Sequence, residues 1–149
     1  MAVAAPAGYS GKPLWQKLGL KEGQRLFVAT PPEHLPQLLA GAPEGIVRLA
    51  RLAEFDIALL FVTSRAALAA ALARALPKLA QGGMIWIAWP KTASGVATDV
   101  TEDTVRDVAL PMGVVDVKVC AIDATWSGLK LLRRRANQGA ATTSSAKTA

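Results

Sequence analysis

The polar residues best placed to do chemistry fall in three short stretches. These are Thr63-Ser64-Arg65, the run from Trp89 to Asp99, and Asp116 to Lys118. The first sets two hydroxyls before a guanidinium. In the second, Lys91, Ser94, Thr98 and Asp99 share a loop with Gly95, whose missing Cβ lets a backbone approach a ligand. Cations and hydroxyls beside a helix N-terminus favour an anion, because unpaired N–H groups and the helix dipole concentrate positive charge there. Thr63, Ser64, Arg65, Trp89, Lys91, Ser94, Gly95 and Asp99 are therefore the candidate binding residues for a small acidic or phosphorylated ligand. Each also has a plain structural role: Thr63 and Ser64 as a helix cap, Asp99 as the N-cap of a later helix, Lys91 as a solvated loop residue. Asp116 and Lys118 stand two apart on one strand, so they are expected to share a face with Cys120 and to pair with each other. Lys12, in the polar run Tyr9 to Pro13, is a further candidate. So is Trp126, since exposed tryptophan is enriched at binding hot spots.

Several chemistries are excluded at this level. His34 is the single histidine and no serine elbow is present, which leaves no hydrolase triad. One histidine and one cysteine make no metal cluster and no internal disulfide, and a reducing, cytoplasmic setting is expected. Cys120 reads as a small buried hydrophobe. Neither a Walker nor a Rossmann glycine fingerprint occurs. The start, Met1 to Pro13, is a poor signal peptide. The most apolar helical stretch, Ala66 to Leu76, contains Arg74 and is too short to span a bilayer. The formal net charge is +6, most of it from Arg133, Arg134, Arg135 and Lys147 in an end that has no acids. That end is expected to be a solvated terminus, so nucleic-acid binding through it ranks third.

The elements that must position these residues alternate. With 149 residues, 52% of them hydrophobic, the chain supports one packed domain. An irregular arm is expected over 1–13 and a disordered tail over 136–149, around a domain at 14–135. One helical turn is expected at Leu14–Leu18, then a buried strand at Leu26–Ala29 stopped by Pro31 and Pro32. A short helix follows over Glu33 to Ala40, complicated by Pro36. Residues 41–54 are ambiguous, with Ile46, Leu49 and Ala53 at helical spacing. Next come a strand at Ile57–Val62, a helix from Arg65 to about Leu79, and a turn at Gln81-Gly82-Gly83. A strand at Met84–Trp89, a helix from Glu102 to Leu110, and strands at Val114–Ile122 and Ser127–Arg134 complete the order. Trp86 and Trp89, three apart, must face opposite ways, with Trp86 in the core and Trp89 at the rim or buried under a helix. The pattern β-α-β-α-β-α-β-β implies a three-layer Rossmann-like α/β fold: a mainly parallel sheet with a C-terminal antiparallel hairpin. Ligands of such sheets sit beyond the carboxyl ends of the strands, where the first two stretches converge.

Two segments resemble the class I methyltransferase fold: Leu18 to Val28 runs into its first strand, and Leu79 to Ile87 forms its later turn and strand. That resemblance implies a glycine-rich cofactor loop after the first strand and a second strand whose acidic end holds a ribose. Here the loop reads Ala29-Thr30-Pro31-Pro32-Glu33 and the second strand is missing, so S-adenosylmethionine is not expected and no other cofactor is indicated. A closer resemblance runs through Gly8 to Leu14, Lys17-Leu18-Gly19, Phe61 to Ser64, Trp89-Pro90-Lys91, Thr98-Asp99, Val115 to Ala121 and Trp126 to Lys130. These are similar to a bacterial family known as domain of unknown function 3052, which implies the fold but no activity. The leading expectation is a non-enzymatic binding or regulatory module on a degenerate methyltransferase-like scaffold. It would hold a protein partner or a small anionic metabolite at the strand rim. The alternative is an enzyme whose polar site lies around residues 89–99, tested first at Lys91, Ser94 and Asp99.

Overall fold

A computed structural model describes residues 12–134. The strands are β1 (Arg25–Ala29), β2 (Val47–Arg48), β3 (Phe55–Phe61), β4 (Leu79–Pro90), β5 (Val114–Ala121) and β6 (Trp126–Arg133). They form a single sheet in the order β2-β1-β3-β4-β6-β5. β2, β1, β3 and β4 run parallel, while β6 lies antiparallel between β4 and β5. Helices α1 (Leu14–Leu18) and α2 (Leu35–Leu38) cover one face, and α3 (Arg65–Ala75) and α4 (Glu102–Ala109) the other. This is the three-layer α/β architecture the sequence implies.

Local chemistry explains the elements. β3 is buried at nearly every position because helices cover both faces, hence its continuous apolar run. α3 combines alanine and leucine with an N-cap, Ser64, whose Oγ accepts from the Ala67 N–H at 3.0 Å. Pro77 lies in the 3-10 turn Leu76–Lys78 that ends it, so the helix stops at Ala75, short of the expected Leu79. α4 begins at a capping box between Thr101 and Thr104 and buries Val105 and Ala109. α2 is shorter than expected, since Pro36 fits only its first turn. Trp86 is fully buried and its indole N–H donates to the Leu18 carbonyl at 2.9 Å, fastening α1 to the sheet. Trp86 and Trp89 fall in the cores on opposite faces, as their spacing requires.

Several expectations are corrected. Residues 41–54 contain no helix: β2 pairs with β1, and residues 49–54 return directly to β3. The methyltransferase-like second strand is thus present, but only as Val47–Arg48. The turn Gln81-Gly82-Gly83 lies inside β4, whose Leu79 already pairs with Phe55 before a register shift. On β5 the register also shifts, between Asp116 and Lys118. An extra residue reverses the alternation, so Asp116 turns toward α4 and Cys120 joins the core under α1 and α2. Asp116 therefore pairs with Arg106 at 2.8 Å, not with Lys118, and Val117 and Val119 are left 50% and 46% exposed. Arg133, exposed at the end of β6, and Arg134, half-buried after it, do not dangle as a free terminus. The Arg133 guanidinium donates to the Leu76 and Leu79 carbonyls, and that of Arg134 to the Leu110 and Val114 carbonyls, where helices end. Apart from Lys12 and Pro13, the arm expected over 1–13 lies outside the described residues, as does the tail over 136–149. Among the described residues, no helix is long and apolar enough to cross a membrane.

Candidate functional site

Chain direction across the sheet reverses at β1 and β3. From β1 the chain moves outward to β2 by way of α2 on one face; from β3 it moves the other way to β4 by way of α3 on the opposite face. The crevice at the carboxyl ends of two such strands is where open α/β sheets bind ligands. Here it is bordered by Thr30, by Thr63-Ser64-Arg65 and by the loop after β4. Thr30 has φ +54°, a left-handed conformation rare outside glycine.

Three of the sequence candidates, Thr63, Arg65 and Asp99, meet at this rim through tertiary contacts. The Arg65 N–H, the first of α3, donates to Asp99 Oδ1 at 2.7 Å. The expected role of Asp99 as cap of α4 is thus corrected: it serves α3 instead, and Thr101 caps α4. Thr98 Oγ1 donates to the Thr63 carbonyl at 2.7 Å and accepts from the Val100 N–H at 3.0 Å. Ser94 Oγ donates to the Lys91 carbonyl at 2.7 Å and accepts from the Val96 N–H at 3.1 Å. The Asp99 and Thr98 bonds tie the end of the 91–99 loop to the start of α3, while the Ser94 bonds close a turn within the loop. The positive helix end that would attract an anion already holds the chain's own carboxylate and the Ser64 hydroxyl. What remains uncompensated is the side chains of Arg65 and Lys91, which form no ion pair among the described residues.

The other candidates lie apart. Trp89 is only 6% exposed and packs in the core under α3 and α4. Gly95 takes φ +80° after a 3-10 turn, and a Cβ there would meet nothing within 4 Å, so its glycine serves the turn. Trp126 pairs with Pro90 across the β4–β6 ladder and sets its ring edge-on to Phe61 at 5.1 Å. Lys12 precedes α1, while Lys118 is exposed on the edge strand. Asp116 belongs to a cluster with Arg106, Glu102 and Asp103. The Arg106 guanidinium holds its carboxyl below the ordinary carboxylate range. Among the described residues no group of His, Cys, Asp and Glu could hold a metal ion.

One rim feature escaped the sequence. His34 Nε2 lies 2.7 Å from Asp123 Oδ2, joining the β1–α2 loop to the β5–β6 hairpin. The second oxygen of Asp123 accepts the Thr125 and Trp126 N–H groups. Burial pushes the Asp123 carboxyl up. The His34 bond and the two backbone bonds outweigh it and hold the carboxyl below its ordinary range. The Asp123-Ala124-Thr125 turn was legible, but nothing in sequence ties it to His34.

Solved structures similar to this fold include several methyltransferases. The ribosomal protein L11 methylase of Lactobacillus delbrueckii subsp. bulgaricus aligns with a TM-score of 0.56 at 9% identity, over 82% of this chain and 76% of that one. Magnesium protoporphyrin IX methyltransferase of Synechocystis PCC 6803, solved with bound S-adenosylmethionine, aligns at 0.53 and 9% identity, over 80% and 74%. Fibrillarin of Aeropyrum pernix, with natively bound S-adenosylmethionine, aligns at 0.50 and 14% identity, over 84% and 70%. At such identities the likeness shows the fold alone. The residues at the switch point do not fit that cofactor. Pro31 and Pro32 offer no N–H where a glycine-rich loop would cradle it, and β2 ends in Arg48-Leu49-Ala50-Arg51 with no carboxylate for a ribose. No curated protein matches the chain in sequence. Residues 53–135 match the family described as "Protein of unknown function (DUF3052)", and the chain belongs to that family.

Proposed function

We propose that this chain is a non-enzymatic binding or regulatory module, a methyltransferase-like scaffold without its cofactor cradle that holds an anionic group at the strand rim. The group belongs to a small metabolite or to a protein partner. The observation that carries this reading is the contrast at the rim. Ser94 and Thr98 give their hydroxyl protons to main-chain carbonyls and Asp99 Oδ1 holds the first N–H of α3, which are structural roles, whereas the Arg65 and Lys91 side chains form no ion pair among the described residues. Thr63 and Ser64 then shape the rim, and nucleic acid is not the favoured ligand, since Arg133 and Arg134 are tied to carbonyls. A cytoplasmic setting and a single domain over 14–135 go with this reading; the lone Cys120 supports the former.

A thermal-shift panel tests it: nucleotides, acyl-carrier metabolites, S-adenosylmethionine and phosphorylated acids against the full-length protein, with Arg65→Ala and Lys91→Ala. A ligand of the folded state present at a hundred times its Kd adds about 2.7 kcal/mol, an easily read shift. A shift lost in either variant supports the rim. If no compound acts, proteins captured from a lysate of the source cells must depend on Arg65 and Lys91; capture indifferent to both overturns the reading.

A second reading, an enzyme, is favoured by the His34–Asp123 pair, because a carboxylate that orients an imidazole is the arrangement of a general base. Conversion of any panel compound by the wild type but not by His34→Gln would establish it.

A further inference from the structure

In a parallel sheet, strands such as β2 and β3 are usually joined by a crossover of roughly a dozen residues or more that contains a helix. Here residues 49–54 make the journey as a bare strap past β1. Leu49 and Leu52 of the strap are partly buried, but no helix covers that face of β1 beside α3. The result is an open groove of about 320 Å³. Phe27, Ala29 and Leu60 form its floor and Leu52 its outer wall, while the facing turns of α3 contribute alanine. The Phe27 ring is fixed by stacking on Phe55 at 6.3 Å. Two arginines complete the lining, Arg51 from the strap and Arg74 from the last turn of α3. Both are exposed, and neither forms an ion pair among the described residues.

We propose that this groove binds a single-chain amphiphilic anion. Its hydrocarbon body lies against Phe27, Ala29 and Leu60, and its carboxylate or phosphate head is answered by Arg51 and Arg74. Charge complementarity selects this occupant. The lining is hydrocarbon except for two uncompensated guanidinium groups, the residue type that grips carboxylate and phosphate in bidentate fashion. The volume suits a small ligand, at the lower end of the ~300–1,000 Å³ usual for such clefts. Residues 1–11 and 135–149 contain no Asp or Glu, so their side chains do not complement the arginines. The groove uses neither Arg65 nor Lys91 and stands whether or not the rim takes a ligand.

Calorimetric titration of the full-length protein with decanoate, decyl phosphate and decanol tests this, together with the double variant Arg51→Glu/Arg74→Glu. Decanoate and decyl phosphate should bind one to one, and decanol at least about tenfold more weakly, the worth of one charge-assisted bond. The double variant should lose binding of both anions by a similar factor while still melting in one cooperative transition, lowered only modestly by the reversed charge of Arg74 in the last turn of α3. If that variant does not fold, Arg74→Gln alone should weaken both anions several-fold. Equal binding of decanoate and decanol, or none up to millimolar concentration, overturns the proposal. Sedimentation with anionic phospholipid vesicles separates the sources of such a head group. Co-sedimentation that needs both arginines, without binding of free decanoate, would make them a membrane contact and overturn the groove.

Discussion

Replacing Asp99 with alanine takes away the acceptor of the first N–H of α3, on Arg65, at 2.7 Å. Ser64 stays as the N-cap, so the helix start frays but does not unravel. Loss of a capping acceptor costs about 0.5–2 kcal/mol, and loss of a carboxylate beside the positive helix end about 0.3–1 kcal/mol. The site is exposed and water replaces part of the bond, so the expected total is about 1–2 kcal/mol. For a domain of this size that lowers the melting temperature by about 3–8 °C. Asp99→Asn keeps an oxygen acceptor and should lose only the smaller, charge-dependent part. Melting is followed by circular dichroism in chloride and in phosphate at equal ionic strength. Phosphate should restore part of the loss in Asp99→Ala, because the vacated helix end becomes an anion site, and so should stabilise Asp99→Ala more than it stabilises the wild type through Arg65 and Lys91. If Asp99→Ala melts with the wild type, or phosphate stabilises both equally, Asp99 does not fill that helix end and the account of the rim is wrong.

Other expectations can be checked on the same protein. Arg25 holds Asp56 and Arg106 holds Asp116 below the ordinary carboxylate range, and the His34 and backbone bonds hold Asp123 there against its burial. The folded protein thus binds fewer protons than the unfolded chain in that range. Stability is complete above the unfolded carboxylate pKa of about 3.9 and drains away as pH falls below it; Asp116→Asn should flatten that decline in acid melting curves. Trp86→Phe leaves the buried Leu18 carbonyl without its donor, and urea unfolding should show a loss of about 2–4 kcal/mol. A Cβ at Gly83 would sit 2.7 Å from the Asp56 carbonyl oxygen, so Gly83→Ala should lower stability by about 1–3 kcal/mol through backbone displacement. Burial pushes the Cys120 thiol up, so a thiol reagent at pH 8 should react slowly with the native protein and promptly once it is denatured.

Where a signal is local, the sequence carries it. α1 has the limits read from one helical turn, Ser64 caps α3, and the continuous apolar runs of β3 and β4 mark strands covered on both sides, whereas β1, with the same kind of run, buries fully only Leu26 and Val28 on one face. Two residues of β2 are too few for any periodicity to show, so Ile46, Leu49 and Ala53 resembled a helix. The β5 register shift inserts one residue that no composition announces, and it moved Asp116 away from Lys118. At the rim, Ser64 was legible because a cap is set by near neighbours, whereas Thr63, expected to share that cap, instead offers its carbonyl to Thr98. The attachment of Asp99 to α3, the burial of Trp89 and the His34–Asp123 pair depend on how distant segments pack.

The position of β6 has a consequence for how the chain is made. The last strand in sequence is not an edge: Trp126 to Leu131 slot between β4 and β5. A nascent chain that has emerged only as far as residue 125 therefore presents β4, with Trp86, Ile87 and Trp89, as an unpaired edge. At about 5–20 residues per second, the ribosome needs about 2–9 seconds to advance from Pro90 to Arg133. For that interval a long strand with a buried apolar end, Ile85 to Trp89, is open to pairing with a neighbouring chain. The spatial order of the strands is thus also a schedule, and a pause in translation before Trp126 lengthens its most hazardous step.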